Sequence, residues 1–308
     1  MSEATTDKEP SAGTRPWWRQ LIEFPLVAMV IAIATVMGTV AVAFALVNTL
    51  LPNLEPDTRI LIIDVVAVVG LFLAYKLVIR HLGDDKRDEL PAKGAIRDTA
   101  IGLGYGFGLF TVIVLAAAAL GVYRIEGFGG TGGLLGALIA DALFPGVSEE
   151  ILFRGIIFRW VERFAGTWAG LIVSSALFGA AHLANPAATW TSTVFIAVEA
   201  GVLLGGVYML TRNLWVAIGL HAAWNFTQGG IFGVPVSGLP ENGLIDSKLT
   251  GPELLSGGPF GLEASIIALT IATGAGIWFV VRAIRAGRVV GPMWVEARKP
   301  AARIAPEA

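Results

Sequence analysis

The sequence predicts an all-α membrane protein, a polytopic bundle of about eight transmembrane helices. Three observations carry that reading. Hydrophobic residues fill 55% of the 308 positions and charged residues only 15%, against about 45–50% and about 25% in soluble domains. The apolar residues gather into eight runs close to the ~20 residues that a spanning helix needs. The basic residues fall between alternate runs, the bias by which multi-pass proteins orient in a bilayer.

The chain opens with a polar stretch of mixed charge, Met1 to Arg15, without the basic start and apolar core of a signal peptide. Residues 1–16 are expected to be a disordered tail. Trp17, Trp18 and Arg19 then form an interfacial anchor. The spans are expected at 24–50, 60–79, 100–122, 133–158, 168–184, 192–211, 214–233 and 261–281. The fourth and fifth are the least typical, because they carry charge. Gly and Pro cluster at 127–133 and in the polar stretch 234–260. This divides the chain into an N-terminal unit of three helices (17–132), a core of four (133–233), an extracytoplasmic loop (234–260), and a last helix with a basic cytoplasmic tail (261–308).

Eight spans put both termini on one side. With the termini cytoplasmic, the inside segments hold 17 Lys and Arg residues. The outside segments hold Arg59, Arg124 and Lys248, and Lys76 and Arg154 fall within spans. A miscounted helix would scramble this alternation. The location expected is a cell membrane, and richness in Ala, Gly and Val points to a prokaryotic one. A net charge of −2 gives no electrostatic case for nucleic acid. The absence of cysteine removes disulfides, thiolate metal sites and a cysteine nucleophile.

Ionisable residues at membrane depth cost about 2.5–3.5 kcal/mol each on the insertion scale, so they face a protein interior or a wet cavity. This chain has Glu149, Glu150 and Arg154 on the fourth span, His182 on the fifth, Glu199 on the sixth, and His221 with Asn225 on the seventh. Glu150 and Arg154 share a helix face at i,i+4 and can pair. If the fourth and fifth spans form a hairpin about Gly166, Glu150 and His182 each lie 16 residues from the turn, ~24 Å along antiparallel helices. Counting from Arg159, Glu162 and Arg163 as the lipid boundary, and from Arg212 for His221, places all three helices' polar groups in the cytoplasmic half. Taken singly, each residue has a structural reading. Glu150–Arg154 is a clamp, a lone His is a satisfied packing residue, and Asn225 is helix–helix glue. Phe178 is packing, Lys76 snorkels, and Asp64 and Asp141 lie near the outer interface. Glu199 is either a partner to the site or a separate cavity liner. Convergence in depth is what favours function. Ser148 reads as a helix N-cap after a break at Pro145-Gly146.

Three motifs carry a family resemblance. Glu149-Glu150-Ile151-Leu152-Phe153-Arg154 resembles the EExxxR pattern of the CPBP family. Phe178-Gly179-Ala180-Ala181-His182 resembles its FxxxH, and His221-Ala222-Ala223-Trp224-Asn225 its HxxxN, in the family's order. These proteins are the type II CAAX prenyl endopeptidases and bacterial relatives, the Abi family, which includes bacteriocin-processing and immunity proteins. The likeness covers roughly 133–230.

The resemblance implies an intramembrane endopeptidase acting on a membrane-associated protein or peptide, of the prenylated CAAX type or not. In the assignment it implies, Glu149 with His182 deprotonates a water, His221 and Asn225 donate to the oxyanion, and Arg154 pairs with Glu150. The rival assignment is a metalloprotease in which Glu149, His182 and His221 hold zinc or another divalent ion, with Glu150 as base. HExxH is absent, so a standard zincin helix is excluded. Two other function classes stay open: a catalytically silent scaffold or immunity protein, and an ion-coupled carrier, for which no inverted repeat speaks.

Overall fold

The computed structural model describes residues 16–296. The tail expected over 1–16 falls, but for Pro16, outside the described residues, as does the tail beyond 296. Eight long helices form the bundle: α1 (Pro25–Leu50), α2 (Pro56–Leu77), α3 (Ala95–Ala119), α4 (134–165), α5 (Thr167–Ala181), α6 (Trp190–Thr211), α7 (214–231) and α8 (Ile266–Arg285). A short helix, Trp17–Glu23, precedes them, with Trp17 exposed as an interfacial anchor requires. Among the described residues, six helices are long and apolar enough to cross a membrane: α1, α2, α3, α5, α6 and α8. The other two, α4 and α7, are the ones that carry Glu149, Glu150, His221 and Asn225. Both contain wider π-helical turns, at Ala137–Leu143 and Ile151–Phe158 in α4 and at Phe226–Ile231 in α7.

Local chemistry sets most boundaries. Pro25 and Pro56 open their helices, where a missing N–H costs nothing. Thr189 and Ser192 cap α6 reciprocally, Asn213 caps α7 through the Trp215 N–H, and Ser265 caps α8 through Ala268. The Ser265 cap explains why α8 begins later than the hydropathy run at 261. Pro145-Gly146 does not break α4. The helix runs through it between the two π segments, and Ser148 donates back to the Phe144 carbonyl at 2.7 Å instead of capping.

Backbones approach closely where α3 crosses α7. A Cβ at Gly102 would lie 2.2 Å from the Val216 carbonyl oxygen, and one at Gly106 2.2 Å from that of Leu220. The small-xxx-small spacing is what lets helices without a hydrophobic drive associate in lipid. It locks α7, and with it His221 and Asn225, against the bundle.

At the end of the bundle near Gly166, the segment between α2 and α3 folds inward beneath α7. Leu90 and Glu89 are buried, the Glu89 carbonyl accepts the Leu214 N–H, and the Pro91 carbonyl accepts the Trp215 indole. Lys76 binds Asp88 at 2.7 Å rather than snorkelling. At the opposite end, the chain between α7 and α8 is ordered over the bundle. It includes one strand of a two-stranded antiparallel sheet, β1 (Tyr123–Phe128) with β2 (Ile245–Leu249), bulged between Ile125 and Gly127. This cover was expected only as a polar loop.

Candidate active site

The cluster is built from three helices. Glu149 and Glu150 stand on the ordinary α-helical turn of α4 between its two π segments. His182 opens the 3-10 turn that ends α5. His221 and Asn225 lie one turn apart on α7, and Asn225 directly precedes its π segment. Widened turns of this kind re-aim side chains and recur at functional sites.

Glu150 and Arg154 are fully buried and joined at 2.8 Å. The same carboxylate oxygen, Oε1, accepts from His221 Nδ1 at 2.9 Å. Arg154, Glu150 and His221 thus form one chain of charge-assisted contacts that fixes the His221 ring and leaves Nε2 for other work. Arg154 also donates to the Ala200 carbonyl at 3.2 Å and lies over the Phe178 ring, 4.5 Å from its centroid. Phe178 in turn packs against Phe153 and both histidine rings.

Glu149 is different. It is partly exposed, and its Oε2 stands 4.0 Å from His221 Nε2. That gap is too long for a hydrogen bond, and Oε2 itself is buried without a partner. His182 is held by its Nδ1, which donates to the Phe178 carbonyl at 2.8 Å, so its Nε2 is an acceptor in the neutral ring. Asn225 spends one amide hydrogen on the Asp141 carbonyl at 2.8 Å, which leaves its second N–H for another acceptor.

His182, His221 and Asn225 line one small cavity of about 30 Å³. Its other walls are Phe178, Ile196, Ala200, Leu203, Leu204, Leu220 and Trp224, with Glu199, Ser237 and Glu263 at the polar margin. Glu199 therefore shares the cavity of the motif histidines. Glu263 and Ser237 were not singled out in the sequence. The signal for Glu263 was present, a carboxylate inside the hydropathy run 261–281. Ser237 sits in a polar, Gly/Pro-rich stretch without periodicity.

The depth expected from spacing needs correction. His182 is ~24 Å from Gly166, but there α5 ends, and residues of the α7–α8 connection line the cavity. The site therefore lies toward the end of the bundle covered by the β1–β2 sheet rather than in the half nearer Gly166. Of the residues taken as the lipid boundary, Arg159 and Glu162 are buried and Arg163 is exposed. Arg159 faces Glu89 at 3.9 Å, and Arg212 binds both oxygens of Glu162.

The metal-ligand set was tested against the same geometry. Among the described residues, no three His, Asp or Glu side chains gather closely enough to hold a metal ion. Glu149, His182 and His221 thus do not form a chelate in this arrangement.

Several apolar helices around a buried polar cavity point to a multi-pass membrane protein. Residues 131–227, about a third of the chain, match the family model described as Type II CAAX prenyl endopeptidase Rce1-like. This segment holds every motif residue, and the match supports membership of the CPBP family of membrane proteases. No curated protein and no solved structure matches it.

Proposed function

We propose that the protein is an intramembrane endopeptidase that cleaves a membrane-associated protein or peptide with water activated by Glu149 and His182. The observation that carries this is the division of hydrogen-bonding roles around the cavity. Glu149 Oε2 has no partner, and His182 keeps Nε2 free by spending Nδ1 on Phe178. Both are acceptors. A water that donates its two hydrogens to them is held with a lone pair directed at a carbonyl carbon, as general-base hydrolysis requires. Two donors are also available, Asn225 through its second amide hydrogen and His221 through Nε2 when the ring carries both protons. They suit the oxyanion of a tetrahedral intermediate.

The steps balance. The water oxygen bonds to the carbonyl carbon as its proton passes to Glu149, and the carbonyl oxygen takes the negative charge between His221 and Asn225. The C–N bond then breaks as Glu149 returns the proton to the leaving nitrogen, leaving a carboxylic acid and an amine, and the acid passes its proton to the amine to give a carboxylate and an ammonium. Glu150 acts through His221 rather than on substrate, since its Oε1 already accepts from both Arg154 and His221.

Glu149→Gln keeps the shape of the site and removes the proton acceptor. Because Glu149 makes no hydrogen bond shorter than its 4.0 Å approach to His221, the variant should fold normally in detergent. Hydrolysis of membrane-associated peptides by the purified protein should fall below detection while binding persists. Wild-type turnover in Glu149→Gln would overturn the assignment.

A further inference from the structure

Two buried carboxylates in the cavity take no part in this chemistry. Glu199, on α6, is 1% exposed, and its Oε2 has no hydrogen-bond partner. Glu263, just before α8, is 3% exposed, and one of its oxygens accepts the Ser237 N–H. The two lie within electrostatic reach of each other, and Glu263 within reach of His182. No lysine or arginine lines the cavity. The nearest guanidinium, Arg154, is committed to Glu150 and the Ala200 carbonyl.

Two carboxylates in so dry a place are costly to ionise without a cation beside them. Several other buried carboxylates do have one, though Asp64 does not. Glu150 has Arg154, Glu162 has Arg212, and Glu89 faces Arg159. Of the side chains lining the cavity only histidines can carry a positive charge, and Glu199 keeps Oε2 without a hydrogen-bond partner.

We propose that Glu199 and Glu263 form a specificity subsite that receives one cationic group of the substrate. That group is the ammonium or guanidinium of a residue flanking the scissile bond, or the substrate's free amino terminus. Both sources share the chemistry of a nitrogen cation donating to carboxylates. The apolar walls, Ile196, Leu203, Leu204, Leu220 and Trp224, take the aliphatic stem that such a group carries. The inference rests on the proteolytic reading and adds a substrate preference to it.

The test uses the full-length protein in detergent and a peptide series of fixed length. Lys, Met or Glu stands at each position flanking the cleaved bond, with the amino terminus free or acetylated. The readout is the ratio of kcat/KM for the Lys over the Met peptide. Wild type should favour Lys by about tenfold or more, as desolvated charge pairs do, and Glu199→Gln and Glu263→Gln should each collapse the ratio toward one. If acetylation rather than Lys→Met abolishes the preference, the amino terminus is the bound group. A wild type without preference for a cation, or a preference unchanged in both variants, overturns the subsite. Should wild type cleave none of the peptides, the proteolytic reading fails separately. Binding of the free-terminus Lys and acetylated Met peptides to wild type and Glu263→Gln then decides the subsite, with equal affinities throughout counting against it.

Discussion

The two ends of this bundle use the same residues differently. Near Gly166, Glu162 gives both oxygens to Arg212, and Thr167 adds a hydrogen bond at 2.6 Å. Glu89 is flanked by Arg159 and the Tyr208 hydroxyl. These contacts tie α4, α6 and the α2–α3 connection together and hold the C-terminal strand of chain, since Arg212 also donates to the Arg288 carbonyl at 2.6 Å. At the site, neither Glu149 nor Glu199, each with an oxygen that has no hydrogen-bond partner, is joined to an arginine, whereas Glu150 is. A buried carboxylate that the protein has neutralised is structure. One that it has left open awaits water or substrate. Sequence cannot tell them apart, because Glu and Arg look alike in both regions.

The comparison breaks most readily at Arg154, which belongs to both categories. Arg154→Ala strands the Glu150 charge at zero exposure and releases His221. It should lower stability by about 3–5 kcal/mol and abolish hydrolysis by whatever protein still folds. Glu162→Gln should cost a similar amount of stability, read by thermal unfolding in detergent, yet leave turnover per folded molecule unchanged. Equal losses of turnover in the two would erase the distinction between the ends.

Within the cavity, Asn225→Ala removes an oxyanion donor but no base. Loss of one such donor typically costs about 10²–10³ in turnover, about 2.7–4 kcal/mol. The fall should appear in kcat with KM little changed. A fall confined to KM would move Asn225 from the chemistry to substrate binding or helix packing.

The smallest effect concerns Glu241, in the cover between α7 and α8. Burial, with the Asp141 charge adding to it, pushes its carboxyl up to about 8 from the usual 4.5. A raised folded-state value means the folded protein holds the proton where the unfolded chain has lost it. The stability this contributes is complete below about pH 4.5 and drains away as pH rises through about 8. Thermal unfolding of Glu241→Gln should therefore show a shallower decline between these pH values than wild type. Parallel profiles would mean that Glu241 titrates as a free side chain.

How much of this was legible depended on what each feature leaves in the sequence. Spanning helices announce themselves by length and apolarity, and the three motifs by spacing, so α1 to α8 and Glu149, Glu150, Arg154, His182, His221 and Asn225 could be found. The i,i+4 pairing of Glu150 with Arg154 was also readable, and it is present. The cover was not. β1 meets β2 across more than a hundred residues, Tyr123 opposite Leu249, and a pairing so distant has no local period. Nor does sequence mark the π turns, which follow from packing. Depth misled because Arg159, Glu162 and Arg212 were counted as surface charges, whereas they pair inside the protein.

The central claim is that side chains of this cavity, with Glu149 as base, activate the water unaided. Elemental analysis of purified, active wild-type protein, paired with a chelator titration of its hydrolysis, tests it most directly. The account predicts turnover that is unaffected by chelators at metal contents far below one ion per chain. Stoichiometric zinc, with activity lost to chelator and restored by zinc, would contradict it.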